Sequence, residues 1–516
     1  MMGQKQFAPR LFHALSLQAM IPSDHLLRRL EAVVDFAFVR ELCAGYYSRT
    51  GQPSIDPVVL FKMMLLGYLY GITSERRRAE ECTLHLAFRW YLGYDLDELT
   101  PDHSVLSKAR ARYGPAVFEA FFQRVLQLCL EAGLLGGEKI FADSTLVVAN
   151  ASLKSLVSRE QLFQPSLSPQ EHLERVFNEN PSEGSGSGGT PAGEVASPAG
   201  SASTPTLEAS SLEGERPAVS SHPRPPFQKV ASHRTGSQGQ LAKRPRSLNS
   251  QRVSRTDPEA SLTARRGLGM RLAYKEHFTV DSHRRVVTAI EVTPAAAQDA
   301  EQVLRLLDQQ PLPVREFCAD SHYGVPKVYA ELRRRGMLAA IPRCSPQSRR
   351  PQPGRLPTSD FRYIPERDVY LCPQGQELRR VAYEARWDRH HYRPRESDCR
   401  RCPLRPACAT PKTIRTVIRY EEQETLEWAE AYLTSHPGRQ TWAQRRVMAE
   451  WVVAEAKGFH GLRRALYRGL AKFKIQALLI ASVQNLKRLV TAGNTPPASS
   501  LIRRFYLILQ AQFERA

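Results

Sequence analysis

Residues 139–150 read KIFADSTLVVAN. The apolar run Ile140 to Ala142, with Gly137 just upstream, predicts a short buried strand. It delivers Asp143, with the hydroxyls of Ser144 and Thr145 directly behind it. A carboxylate at the end of a buried strand is costly unless a cation meets it. One reading is an Asp that caps or turns the chain; the other is a ligand for a divalent metal. A second stretch repeats the pattern: Val314 to Ala319 (VREFCA) predicts another short strand, ending on Asp320 and again followed by Ser. Neighbouring strands of one sheet would bring the two carboxylates together, where like charges must share a proton or bind cations. Hard oxygen ligands with open positions suit Mg²⁺ or Mn²⁺.

A third ligand is expected from the helix near residue 450, where Glu450 and Glu455 compete. At about 100° per residue, Arg446, Glu450 and Lys457 lie within a roughly 60° arc, and Glu455 lies on the opposite side near Met448 and Val452. A Glu with co-facial cations can hold both a metal and a phosphate backbone. Taken alone, Arg446 and Glu450 also fit a surface ion pair at i,i+4.

The bulk properties narrow the partner. Lys and Arg number 72 against 52 acidic residues, a net charge of +20. Such an excess favours a polyanion, either nucleic acid or an anionic membrane surface. No spanning segment is expected, because the longest apolar stretch, Val58 to Tyr70, is interrupted by Lys62 and Gly67 and is too short. The opening MMGQKQFAPR lacks the apolar core of a signal peptide. Nine Cys, unevenly spread, argue for a reducing compartment. The expectation is a cytoplasmic, nucleoid-associated protein that binds nucleic acid.

With 516 residues and 42% hydrophobic content, more than one core is expected. Residues 23–134 predict helices. Ser23 and Asp24 can cap one running to about Leu42, Asp56-Pro57 starts a helix buried all round, and Ser74 starts another. Pro101 to Ser104 turns into a further helical stretch that resumes at Pro115. From Pro181 to Arg246 the chain is crowded with Ser, Gly, Pro and Thr, a composition that buries too little apolar surface to order itself. MRLAYKEHFTVD and RRVVTAIEVT then alternate as two strands joined at Asp281 to Arg284. A helix from Ala295 to Leu307, a helix ending at Gly336 and a strand from Met337 to Ile341 complete an α/β pattern. The low-complexity stretch is therefore an insertion after the first strand. From Glu421 the chain is helical again, with Gly438 separating two helices, and its end, Gly458 to Leu489, is basic.

Cys372, Cys399, Cys402 and Cys408 form a group around CRRCPLRPAC. Cys-x2-Cys with further Cys suits tetrahedral Zn²⁺, and reduced unliganded thiols are the alternative.

Several motifs, in order, resemble the DDE insertion-sequence transposases of bacteria. They are Asp143 in FADST, Tyr274 to His277 with Asp281, Asp320 in FCADSHYG, Glu450 in RRVMAEWVVAEAK, and the ending HGLRRALYRGLAKFKIQALLIASVQNLKRL. The resemblance runs from the helical N-terminal part, PDHSVLSKAR included, to about Leu489. Arg446, Glu450 and Lys457 fit the family's Tyr-x2-Arg-x3-Glu-x6-Lys spacing, but the Tyr position holds Ala443, with Trp442 beside it. Trp451 stands where relatives often carry Pro. The resemblance implies an RNase H-like mixed sheet with flanking helices, an all-α N-terminal DNA-binding domain (1–135) and a catalytic domain (136–490). That domain would carry a disordered insertion at about 155–262 and a Cys-rich one at about 344–412, and 491–516 would be a tail. It also implies that Asp143, Asp320 and Glu450 hold two Mg²⁺ or Mn²⁺ ions for DNA cleavage and strand transfer. Arg446, Lys457, Arg463, Arg464, Arg468 and Lys472 are the expected DNA contacts, and a homodimer on paired element ends is the expected assembly. The rivals are a related nuclease that cuts without joining and a catalytically silent DNA-binding descendant.

Overall fold

The computed structural model describes residues 16–48, 50–162, 248–265, 269–344, 355–385, 388–409 and 413–492. The fold is mixed α/β, with a helical N-terminal region followed by sheets.

The helical region contains α1 (Leu26–Val33), α2 (Phe38–Cys43), α3 (Pro57–Leu69), α4 (Glu75–Leu84), α5 (Leu86–Leu92) and α6 (Ser104–Glu131). Asp56 accepts the Val58 N–H at 2.9 Å with Pro57 at the first position, and Ser74 caps α4 through the Arg77 N–H. As expected, α3 is buried nearly all round. Even Lys62 is inside, its ammonium neutralised by Glu31 at 2.8 Å and bonded to the Tyr91 carbonyl. The expected helix from Ser23 to Leu42 is instead two helices. His25, not Ser23 or Asp24, caps the first, and Asp35 turns the chain by accepting the Ala37 N–H. That turn lets Val34 and Phe36 both enter the core. In α6 the backbone breaks at Gly114 (φ 63°), where Pro115 restarts the helix.

The main sheet holds β1 (Lys139–Val148), β4 (Ser261–Arg265), β5 (Gly269–Asp281), β6 (Val287–Pro294), β7 (Glu316–Cys318) and β8 (Leu338–Ala340). The small pair β2 (Leu156–Ser158) and β3 (Arg252–Ser254) is antiparallel. In the main sheet β5 lies antiparallel to β1, β4 and β6, while β7 runs parallel to β1 and β8 parallel to β7. The expected strand carrying Asp143 is real but does not end there. It runs five residues further, because Thr145 and Val147 continue the buried face begun by Phe141, while Ile140 and Ala142 are buried on the other face.

The β2–β3 pair and the first two residues of β4 fall inside the expected insertion at 155–262, so its two ends carry secondary structure. Residues 163–247 lie outside the described residues, as does 493–516 of the expected tail.

Beyond the sheet stand α7 (Val303–Asp308), α8 (Pro326–Arg334), α9 (Gln423–Thr434), α10 (His436–Phe459) and α11 (Leu470–Ala492). The expected helix from Ala295 begins later, as a 3-10 turn at Asp299–Gln302 leading into α7. The break between α9 and α10 falls at Ser435, not Gly438. Gly438 sits in the first turn of α10, where a Cβ would come within 2.0 Å of the Tyr432 carbonyl. Although the chain's end reads as basic, α11 is largely apolar and buried from Phe473 to Val490, packed on α1, α3, α6 and β6. It is the pillar that joins the helical region to the sheet.

The Cys region holds a five-stranded antiparallel sheet of β9 (Arg362–Ile364), β10 (Val369–Leu371), β11 (Glu377–Glu384), β12 (Arg389–Arg393) and β13 (Val417–Tyr420). Its core is small: Phe361, Tyr370, Leu378, Tyr392 and Val417.

Candidate active site

Asp143 lies mid-strand in β1, opposite Phe278 of β5. Its side chain is 15% exposed. One carboxylate oxygen accepts the Ser144 N–H at 2.8 Å, and the other accepts Arg445 Nη1 at 2.9 Å. Burial pushes its pKa up to about 6, against the pull of Arg445 and the Ser144 N–H, and the charges of Asp320 and Glu450 add to the rise. The sequence demanded a cation for this carboxylate, and Arg445 is that cation.

Asp320 follows β7, the parallel neighbour of β1. It caps a 3-10 turn by accepting the His322 N–H at 2.9 Å, and the His322 imidazole Nδ1 lies 3.1 Å from its other oxygen. Tyr323, next along, is fully buried. Its hydroxyl completes no full hydrogen bond among the described residues, with Ser144 the side chain beside it. Burial holds the phenol well above its ordinary pKa, and Asp299, Asp143 and Asp320 push it further.

Glu450 stands on α10, half exposed, with Arg445 Nη2 at 3.7 Å and Arg446 Nε at 3.9 Å. The Arg445 guanidinium therefore reaches two of the three acids. Its competitor Glu455 faces α11 instead, where it meets Lys487 at 2.6 Å, Arg488 at 2.7 Å and His460 at 3.5 Å. Burial alone would raise the Glu455 pKa, but bonds from His460, Arg488 and Lys487 bring it well below the usual range.

Sequence reasoning passed over Arg445 in favour of Arg446, which is 86% exposed and reaches only Glu450. A signal was present. Thr441, Ala449, Val452 and Ala456 form the buried stripe of α10, and Arg445 falls on it, four residues from both Thr441 and Ala449.

The expected DNA contacts divide. Arg463 and Lys472 are exposed. Arg464 and Arg468 are exposed too, but both bond Asn150 at the end of β1. Lys457 does not project from the Arg446 side into solvent: it donates to the Leu146 carbonyl at 3.0 Å and lies near buried Glu276, whose pKa burial raises to about 8. The other basic residues of the chain's end also have partners, Lys474 with Glu119 and Lys487 and Arg488 with Glu455.

The motif on β5 is structural in its contacts. Tyr274 bonds Asp257 and stacks on Phe473. Lys275 and His277 meet Asp299, at 3.1 and 3.4 Å. Asp281 accepts the N–H groups of Gly136, Gly137 and His283, pinning the β5–β6 turn.

Cys372, Cys399, Cys402 and Cys408 all line one small cavity, with Phe361 and Leu378. Among the described residues, no three His, Cys, Asp or Glu side chains stand where they could hold a common metal ion. This applies to the thiols and to the acidic trio alike. None of the described helices is long and apolar enough to cross a membrane.

Two family matches bear on these residues. Residues 15–112 match a Transposase domain family (DUF772), and residues 371–490 match a Transposase DDE domain, which takes in the four thiols and Glu450. Asp143 and Asp320 lie outside both matches. No curated protein and no solved structure matches the chain. Transposases act on DNA, so DNA is supported as the partner and nucleotidyl transfer as the class of chemistry. With one match over the N-terminal helices and the other over the helix bearing Glu450, the two matches support an insertion-sequence DDE transposase.

Proposed function

We propose that this transposase cuts the ends of its element and joins them to target DNA, using Asp143, Asp320 and Glu450 as catalytic carboxylates in an RNase H-like domain. The observation that carries the reading is the convergence on Arg445: one guanidinium meets Asp143 and Glu450, and Asp320 follows the strand beside Asp143. The strand order β6-β5-β1-β7-β8 supports the fold. Counting only the strands of that order, β1, β5, β6, β7 and β8 in chain sequence, the first acid is on the first strand, the second after the fourth and the Glu on a later helix.

The donor set fits Mg²⁺ or Mn²⁺ in kind, since all three groups are hard oxygens. Asp143, held at a raised pKa partly by the other two acids, is relieved by added positive charge. Asp143, Asp320 and Glu450 would hold such ions, and the chemistry those would supply is activation of a water or 3′-hydroxyl and stabilisation of the leaving oxygen. The chain's own residues prepare that chemistry. Arg445 holds Asp143 toward its ionised form. His322 fixes Asp320. The Tyr323 hydroxyl, beside Ser144, offers a hydrogen bond inside the site. Exposed Arg446, Arg463 and Lys472 supply charge for the phosphate backbone. Two copies, one on each end of the element, form the working dimer.

The same reading gives the four thiols a structural Zn²⁺. A module whose core, among the described residues, is one small cluster around Phe361, Tyr370, Leu378, Tyr392 and Val417 is short of stabilisation, as small modules held by metal are. Burial and mutual repulsion raise the Cys399 and Cys408 thiols, a repulsion that a shared cation removes. The sulfurs would close on the ion from the cavity they now line. Metal analysis of the purified chain is expected to find one zinc per chain, and a zinc-free folded protein overturns this assignment.

The transposase reading is tested by Asp143→Ala, Asp320→Ala and Glu450→Ala proteins given Mg²⁺ and DNA bearing the element's ends. All three are expected to lose cleavage, and full activity in Asp320→Ala overturns the reading. Pre-cut ends then separate joining from cutting: a chain that cuts but never joins them is a nuclease.

A further inference from the structure

Trp451 follows Glu450 directly on α10, about 100° round the helix and on the side of Glu455. It is 58% exposed. The guanidinium of Arg285 lies 5.4 Å from its ring centre. Around this pair opens a cavity of about 420 Å³, lined by His283, Arg284, Arg285, Lys487 and Arg488, with Glu455 its only acid. Glu455 is already shared by Lys487, Arg488 and His460, so the pocket keeps a positive balance. Arg284 and Arg285 have no carboxylate partner among the described residues.

The basic residues sit on a turn that is held still. Asp281 anchors its start through three N–H groups. Arg488 Nε donates to the Arg285 carbonyl at 3.1 Å, and Asn485 bonds both the N–H and the carbonyl of Val287. Arg285 itself has φ 56°, a left-handed conformation that bulky residues seldom adopt. A rigid turn thus presents cations to an exposed aromatic ring, one residue from a proposed catalytic acid.

We propose that this pocket binds an unpaired nucleotide of the DNA strand that passes Glu450. The base stacks on the face of Trp451 opposite Arg285, and Arg284, Arg285 and His283 meet the flanking phosphates. Stacking platforms beside basic grooves are how proteins hold single strands, because every base has a π face whereas a duplex hides it. A paired duplex cannot offer a base face here, so the pocket selects frayed or single-stranded DNA. The proposal rests on the transposase reading for its substrate, but its test does not.

The test is binding by the full-length chain, in chelator, of a labelled mixed-sequence single strand of about 15 nucleotides, with a blunt duplex of the same sequence as comparison. Trp451→Ala is expected to weaken single-strand binding about tenfold and Trp451→Phe less than about threefold, with duplex binding unchanged. Arg284→Ala/Arg285→Ala is expected to lower the salt slope for the single strand by about 1.4, the loss of two phosphate contacts. Because Trp451 is largely exposed, its removal leaves the fold intact, which the thermal midpoint checks. Single-strand binding by Trp451→Ala within twofold of wild type overturns the proposal, as does an equal loss on both DNAs. Cleavage by wild type but not by Asp320→Ala tests the transposase reading separately, so the two can fail independently.

Discussion

Asp143 is a carboxylate whose ionisation opposes folding, and Asp143→Asn is expected to remove that opposition in a pH-dependent way. Its side chain is 15% exposed, and its pKa is raised from 3.8 to about 6, mainly by burial. Between these values the folded chain holds a proton on Asp143 that the unfolded chain has released. Folding therefore takes up a proton, and stability falls as the pH rises from about 4 to about 6. The gap corresponds to about 3 kcal/mol, at about 1.4 kcal/mol per pH unit. Below pH 3.8 the carboxyl is protonated in both states and the effect vanishes. The measurement is urea unfolding of wild type and Asp143→Asn in chelator across this range. Subtracting one profile from the other cancels the titrating groups that do not interact with Asp143, and leaves the response of its neighbours Asp320 and Glu450 as the smaller part of the difference. The difference is expected to move by about 3 kcal/mol in favour of Asn between pH 3.5 and 7, most of it by pH 6. Adding Mg²⁺ at pH 7 then stabilises wild type alone, by about 2.7 kcal/mol at a hundred times its Kd. A difference that stays flat with pH, or moves in favour of Asp, refutes the account of Asp143 as a buried, strained acid.

Glu455→Gln leaves Arg488, Lys487 and His460 without their carboxylate and is expected to cost about 3–5 kcal/mol of unfolding free energy. Because this pKa is depressed in the folded chain, the contribution of Glu455 is whole above its unfolded value and fades as the pH falls below it, so the cost in the variant shrinks in acid. Gly438→Ala places a Cβ within 2.0 Å of the Tyr432 carbonyl and is expected to lower the thermal midpoint sharply. Arg445→Ala and Arg446→Ala are expected to separate. The first raises the Asp143 pKa by about 1–3 units, read by carboxyl NMR titration. The second, 86% exposed, changes stability by less than about 0.5 kcal/mol.

Local signals in the sequence were strong where one residue decides the structure. Asp56-Pro57 and Ser74 start helices because cap and first turn need only their own side chains. The β5–β6 turn and the stop at Gly336 (φ 69°) are of the same kind. What escaped was set by packing. The chain from Ser23 looks helical to Leu42, yet Val34 and Phe36 gain more by entering the core from a break at Asp35. Asp143 looks like the end of a strand because polar residues follow it. The strand continues because Thr145 and Val147 still point inward and β5 pairs with it to Val148. In the site, the three acids are legible because each follows or shares an element with its own local signature. Arg445 is not, since choosing between Arg445 and Arg446 depends on how α10 is rotated against the sheet.

That rotation also leaves the middle of α10 exposed, where the proposed chemistry would need it. Upstream, Lys139 of β1 bonds Thr441 and Arg445 bonds Asp143. Downstream, Glu455 is tied to α11, Lys457 to the Leu146 carbonyl, and His460 to the Tyr68 carbonyl of α3. Val447, Glu450 and Trp451, between these clamps, are all more than half exposed. A helix pinned at both ends presents its central residues without having to order them on binding, which is the condition for holding a reacting phosphate in one place. Glu450 and Trp451 thus share a single rigid support. A change to a clamp outside the pocket, such as Thr441→Val, which loses the Lys139 bond, is therefore expected to disturb strand binding and cleavage together even though it touches neither DNA nor metal.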